Sequence, residues 1–481
     1  IVLTHSLDIH MGGSSGHAIS FPAVPLFVND EPNMANVVSA CVHDESTINI
    51  ADAYHAEGFD FSGTRRFDRQ TGYRTRSILT VPLKDHHNEI IGVLQLINAT
   101  DGGGIREFSH ADRQLAESLA SQAAVAMSNK RLIDEQRELF DAFIKLMADA
   151  IDEKSPYTGG HCKRVPALTM MIADACEKAE KGELKGFSMT DSDRYELGIA
   201  GWLHDVGKVT TPEYVVDKAT KLETIYDRID AIETRFEVIR RDAIIDALQD
   251  RIERLQEALN NEPDTDYPDI DEQLEQTLAQ LEADRDFIRR CNIGGEYMDE
   301  AQQQRVREIA CYRWNNPHGV CAPLLSDDEI SNLTVAKGTL TEEERQIINN
   351  HMAVTIKMLE RLPFPRHLAR VPEYAGAHHE RMDGTGYPRG LTREQMSLPA
   401  RMMAVADIFE ALSASDRPYK TGKPLSECLR ILGLMKLDNH IDPDIFDAFI
   451  RYKVYLRYAE KFLPKCQIDE VDHALIPGYE E

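Results

Sequence analysis

Positive charge is what this 481-residue chain is shortest of. Lys and Arg number 54 against 81 Asp and Glu, a formal net charge of −27 with a sequence pI of about 5.1. That balance excludes the broad positive potential a nucleic-acid polymer binder needs, but leaves room for a small anionic ligand held by a few local cations. The eight cysteines form no C-x-x-C pair, and a chain this long needs no disulfides, so a reduced, cytosolic (cytoplasmic) protein is the simple reading. No run of 18 apolar residues occurs, which leaves no helical membrane span and no membrane partner. An initiator Met is missing too. The chain opens in strand-like "IVLTHSLDI", as a fragment would.

What is present falls into three textures, and the length suits two or three domains. Residues 1–108 read as α/β, with β-rich runs "SILTVPLK" (77–84) and "IIGVLQLIN" (90–98) joined by the turn-like "DHHNE". Residues 109–151 read as a proline-free helix. Leu119, Ala126, Ile133, Phe140 and Met147 recur every seven residues, with Leu115, Gln122, Asn129, Gln136, Phe143 and Ala150 as the companion series. Such a repeat implies a coiled-coil seam, the alternative being a helix packed on its own domain.

From 152 to 481 the chain is mostly helical and rich in His, Asp and basic residues, with an interruption at 217–336. There Ile225, Ile229, Ile232, Phe236 and Ile239, then Leu274, Leu278 and Leu281 beyond a proline-bearing loop, predict an antiparallel helical hairpin. It is either a partner-binding arm or a solvated insertion without a part in the chemistry.

The chemistry lies on either side of that hairpin. His161, His204–Asp205 in "LHDVGK", His351, His378–His379 in "AHHE" and Asp407 each lie in or next to a helical segment. Imidazoles with carboxylates suit Mn, Fe, Ni or Zn. Seven candidates are too many for one tetrahedral site. They suit two divalent ions about 4 Å apart, the arrangement of two-metal hydrolysis.

Together "HDVGK", "HHERMDGTGYP" and "ADIFEALSASDRPYK" resemble the HD-GYP family of metal-dependent phosphohydrolases, from about 141 to 471 without roughly 217–336. The resemblance implies an all-α HD-type domain hydrolysing cyclic di-GMP to pGpG and/or GMP. It also implies metal ligation by His161, His204, Asp205, His351, His378, His379 and Asp407. Tyr157 stands where some members place a third-metal glutamate, so two ions are expected. A phosphodiester anion repels nucleophiles, and two divalent ions would offset its charge and acidify water. Asp205 is expected to bridge the two ions. Lys208, one turn after His204, would reach a phosphate oxygen or simply be a solvated helix residue. Arg417 and Lys420 are candidates for the second phosphate, with Arg381 and Arg401 as weaker ones or structural ion pairs. Asp383 would orient Arg381 or a histidine, or cap the turn at Gly384. Tyr387 would stack on guanine or brace its loop.

Residues 65–99 resemble GAF domains, which implies an antiparallel sheet flanked by helices, and a small-ligand pocket or a dimer contact. The expected whole is therefore multidomain. An N-terminally incomplete GAF-like sensory domain (1–108) is joined by a coiled-coil helix (109–151) to a catalytic domain (152–481) with the 217–336 insertion. A homodimer through the GAF domain and helix follows, and diguanylate cyclases are further candidate partners. The competing functions are a catalytically weak cyclic di-GMP sensor or docking module, and hydrolysis of another cyclic dinucleotide.

Overall fold

The computed structural model describes residues 24–154, 160–258, 267–295, 297–414 and 422–479. The chain divides into two compact units, Ile1–Asp141 and Ala142–Glu481. Among the described residues no helix is long and apolar enough to cross a membrane.

In the first unit a short hairpin, β1 (Phe27–Val28) and β2 (Glu31–Pro32), precedes α1 (Val37–His43). Then come β3 (Ile48–Ile50), α2 (Ser62–Thr71), β4 (Ile78–Lys84), β5 (Ile90–Ile97) and a second hairpin, β6 (Ala99–Thr100) with β7 (Ile105–Arg106). Strands β3, β4 and β5 form an antiparallel sheet in that order, with Val81 opposite Leu94. Asp85 shapes the β4–β5 turn by accepting the amides of His87 and Glu89, and Asn88 takes a left-handed φ of 67°. Alternation along β4 sends Leu79, Val81 and Leu83 to one face, where Ala116, Ala120 and Ala124 of α3 (His110–Lys154) let the helix approach closely. Ile78 faces the other way, onto Val37, Ile50, Ala53 and Phe61. Helix α3 runs 45 residues, a little past the expected 109–151 at its C-terminal end.

The second unit is helical. Its framework is α4 (His161–Cys176), α5 (Asp191–Leu203), the short α6 (Glu213–Val216) and, after the insertion, α11 to α16. Helices α11 (Glu342–Leu359), α12 (Val371–Gly376) and α13 (Leu398–Ser413) carry site residues or lead directly into them. Helices α14 (Leu425–Leu437), α15 (Pro443–Arg451) and α16 (Val454–Phe462) close the core. Helix α13 is buried on nearly every side through Met402, Met403, Val405, Ala406 and Phe409. A helix apolar all round belongs in the centre of a domain, which makes the buried carboxylates Asp407 and Glu410 conspicuous on it.

The insertion holds more than a hairpin. Helices α7 (Ile229–Ala258) and α8 (Pro268–Asn292) run antiparallel, tied by Glu233–Arg289 at the near end and by Arg251–Asp271 and Arg254–Asp269 at the far end. Helix α9 (Glu300–Ala310), the strand pair β8 (Arg313–Asn315) and β9 (Cys321–Pro323), and α10 (Asp327–Leu333) complete it. Leu222, Ile232, Phe236, Leu281, Ile288, Leu324 and Leu333 form its own core. Ile225 departs from the sequence expectation: it is 94% exposed in the turn before α7. The helix starts four residues later because the Asp227 carboxylate accepts the Ile229 amide.

Candidate metal centre

Each candidate ligand is placed by a helix end or a helix face. His161 is the first residue of α4, behind Gly160 at a left-handed φ of 84°. His204 ends α5, and Asp205 opens the 3-10 turn Val206–Thr210 that bears Lys208. The expected α-helical continuation to Lys208 is therefore a tighter 3-10 turn. His351 lies within α11, His378 and His379 follow α12, and Asp407 lies on α13. Gly207 lets this turn touch α11. A Cβ there would stand 2.0 Å from the His351 carbonyl oxygen, and its amide donates to Thr355 Oγ1 at 2.9 Å.

The structure brings the seven candidates together as two groups of donors, His161–His204–Asp205 and His351–His378–His379, with Asp407 beside the first. Asp205 stands between them. Its Oδ2 lies 3.2 Å from His161 Nε2 and 3.3 Å from His204 Nε2, while Oδ1 lies 3.4 Å from His351 Nε2 and 3.9 Å from His378 Nε2. Asp407 Oδ1 is 3.3 Å from His161 Nε2.

Four imidazoles are held the same way round. The Nδ1 atoms of His204, His351 and His378 meet the carbonyls of Gly201, Ile348 and Ala375, each three residues back. His161 Nδ1 meets Glu410 Oε2 at 2.5 Å, and Arg164 Nε donates to the other Glu410 oxygen at 2.6 Å. Those partners are acceptors, so Nδ1 carries the proton and Nε2 presents a lone pair inward. His161 and His204 consequently point bare nitrogens at each other across 3.2 Å. His351 Nε2, His378 Nε2 and Asp205 Oδ1 are buried without a hydrogen-bond partner. Orphaned acceptors converging in a buried space need a cation, and separations of 3.2–3.4 Å match the spacing of ligands on an ion with bonds of about 2.1 Å. The donors present thus fit divalent metal.

The two groups differ electrostatically. With no cation bound, burial opposes charge on His161, but Glu410, Asp205 and Asp407 outweigh it and hold its pKa well above the usual value. The same balance raises His204 to about 9, so a metal would take the place of a proton at Nε2. Burial and neighbouring histidines push His378 well down, and burial lowers His379 to about 4.

The remaining candidates fall unevenly. Lys208 Nζ sits 2.6 Å from Asp205 Oδ2, at the edge of the centre. Tyr387 stacks on His379, ring centroids 4.9 Å apart, and so braces a candidate ligand. Arg381 reaches the Asp438 carbonyl at 3.2 Å and Asp383 at 3.4 Å. Asp383 also accepts the amide and hydroxyl of Thr385. Arg401, 3% exposed, is a structural ion pair with Glu183 and Asp442. Tyr157, Arg417 and Lys420 lie outside the described residues.

Glu410 as the partner of His161 was not foreseen. Its position three residues after Asp407, on the same helix face, is the signal that carried it. The glycine-rich run earns its residues similarly: Glu380, 1% exposed, accepts the amides of Arg389 and Leu391, and a Cβ on Gly386 would stand 2.5 Å from Glu380 Cα.

Family models match twice, a GAF domain over residues 14–127 and an HD domain over 321–445. The chain carries a GAF domain and an HD domain. The HD match contains His351, His378, His379 and Asp407, and the fold supplies His161, His204 and Asp205 from outside it. Among curated relatives, a 3'3'-cGAMP-specific phosphodiesterase of Vibrio cholerae is 43% identical over 120 residues, 25% of either chain. Cyclic di-GMP phosphodiesterases of Pseudomonas aeruginosa and Thermotoga maritima are 42% and 39% identical over 114 residues, 24% of this chain and 26% and 30% of theirs. The chain thus spans about a quarter of the length of the curated relatives it matches.

In the GAF domain, Asp68 is 4% exposed and holds the Thr75 amide and hydroxyl and the Tyr54 hydroxyl. That is a structural duty.

Proposed function

We propose that the HD domain is a metal-dependent phosphodiesterase that opens cyclic di-GMP, giving pGpG and, on further cleavage, GMP. The observation that carries this is Asp205, one oxygen turned to each of two groups of inward-facing donors. His161, His204 and Asp407 would hold one divalent ion (Mn, Fe, Ni or Zn), and His351, His378 and His379 the other, with Asp205 shared. Bound ions supply charge neutralisation at the phosphodiester and the acidification of water. The protein's own part is to orient and to dehydrate. Carbonyls and Glu410 fix the imidazoles, Tyr387 buttresses His379, and Lys208 places an ammonium beside the shared carboxylate, within reach of a non-bridging oxygen.

A hybrid cyclic dinucleotide is the second reading, favoured by the similarity to 3'3'-cGAMP-specific relatives. Regulation by the GAF domain, its ligand, dimerisation through α3 and docking of diguanylate cyclases belong to the same proposal. The test is elemental analysis of anaerobically purified protein with turnover of both dinucleotides on the same sample. About two ions per chain with hydrolysis is the expected result. Two ions without hydrolysis would leave a sensor, and no metal after reconstitution would overturn the reading.

A further inference from the structure

The last turn of α3 places two opposite charges, Asp152 and Lys154, two residues apart. Asp152 is 7% exposed. Its Oδ2 accepts the Gly160 amide at 3.0 Å and its Oδ1 the Cys162 amide at 3.3 Å, so one carboxylate grips the backbone on both sides of His161. Gly160, the residue that opens α4, has no side chain with which to cap it. Asp152 supplies the missing acceptor and a negative charge at the positive end of the helix.

Lys154 reaches elsewhere. Its Nζ donates to the carbonyls of Lys208 at 3.2 Å, Val209 at 2.6 Å and Thr211 at 2.6 Å, using all three ammonium protons. Those carbonyls close the 3-10 turn that begins at Asp205 and carries Lys208. Residues two apart on a helix point about 200° apart, so the same turn can hold α4 with one side chain and the His-Asp segment with the other. Both contacts are charge-assisted, the stronger kind of hydrogen bond.

We propose that Asp152 and Lys154 are positioning residues that set the two backbone segments of the metal centre, so that the end of α3 fixes His161 relative to Asp205 and Lys208. The proposal rests on the metal-dependent reading above. It gives α3 a direct mechanical hold on the reacting groups without either residue touching substrate or metal.

The experiment compares Asp152→Ala, Lys154→Met and the conservative Lys154→Arg in the full chain. Amide exchange is followed over 160–164 and 206–212, with Co2+ titration and turnover of cyclic di-GMP on the same samples. Asp152→Ala is expected to speed exchange at Gly160 and Cys162 and to weaken one Co2+ site by about ten- to a hundredfold, the usual cost of losing support behind a ligand. Lys154→Met is expected to speed exchange at Lys208 and Thr211 and to lower kcat about tenfold with KM and both Co2+ sites kept, and Lys154→Arg to restore most of it.

Variants that exchange, bind Co2+ and turn over as wild type would overturn the proposal. So would faster exchange with unchanged Co2+ affinity and kcat, which would make the contacts ordinary caps. A wild-type chain that binds no Co2+ would instead sink the metal reading, and the backbone hold would then be judged by exchange alone.

Discussion

Asp205 concentrates the chemistry of the site in one residue, because its two oxygens serve different groups of histidines. Asp205→Asn keeps the shape but turns one of those atoms into an N–H donor facing bare nitrogens. Hydrolysis should fall by more than a hundredfold, beyond the ten- to hundredfold expected of Glu410→Gln, which only disturbs the support of His161. Co2+ stoichiometry and kcat on both variants check the ranking. Gly207 is the steric counterpart. With 2.0 Å between a new Cβ and the His351 carbonyl, and 2.6 Å to the Thr355 amide, Gly207→Ala must push α11 away from the turn. A cost of about 3 kcal/mol, read as a lowered Tm, together with weakened metal binding is expected. The histidines and aspartates were legible because their residue types and spacing already select for metal. The need for Gly207 was not, since it depends on an approach by residues 144 or more positions away.

At the scale of elements, the sequence showed strands β4 and β5 and helices α3, α7 and α8 through local repetition: β-branched runs in one case, apolar residues at steps of three and four in the other. The start of α7 was misplaced because apolar Ile225 fits the step pattern, whereas the cap at Asp227 decides the boundary. What the insertion does at its return was hidden for a different reason. Lys218 bonds Glu344 and Asn332, and Lys221 bonds the carbonyls of Leu333 and Val335, so both ends are stapled by contacts spanning more than a hundred residues. Inside it, Asp284 (3% exposed) is the polar anchor. Burial works against its charge, but bonds from Gln280, Tyr312 and Arg305 outweigh that and hold its pKa below the usual value. A depressed carboxyl contributes stability above its unfolded pKa of about 3.9 and loses it as pH falls through the folded one. Asp284→Asn should therefore cost about 2 kcal/mol at pH 7 and flatten the loss of stability below pH 4. Of the two tryptophans, Trp314 lies in the insertion, so urea melts in a Trp202→Phe background isolate this unit.

For the whole molecule the open question is what covers α3. Leu115, Leu119, Ile133 and Phe143, all members of the two seven-residue series, are more than half exposed along one helix, Leu115 at 62%. Isolated exposed leucines are ordinary on a protein surface, but a row of them repeating over four turns and more is the signature of an interface. The seven-residue recurrence matches a second copy of the same helix, whose knobs would fill the holes of the first. Sedimentation should therefore give about twice the 54.3 kDa chain mass, and Ile133→Glu with Phe143→Glu should return it to one. Those positions lie in the exposed middle of α3, away from every contact that places the candidate ligands, so the monomer should still bind Co2+ with wild-type stoichiometry. Loss of metal along with the dimer would mean that the second copy helps to build the centre. A wild-type chain that sediments as a monomer would require another partner for the stripe. Retained metal with altered kcat would show that pairing of α3 acts on turnover through the helix whose last turn carries Asp152 and Lys154.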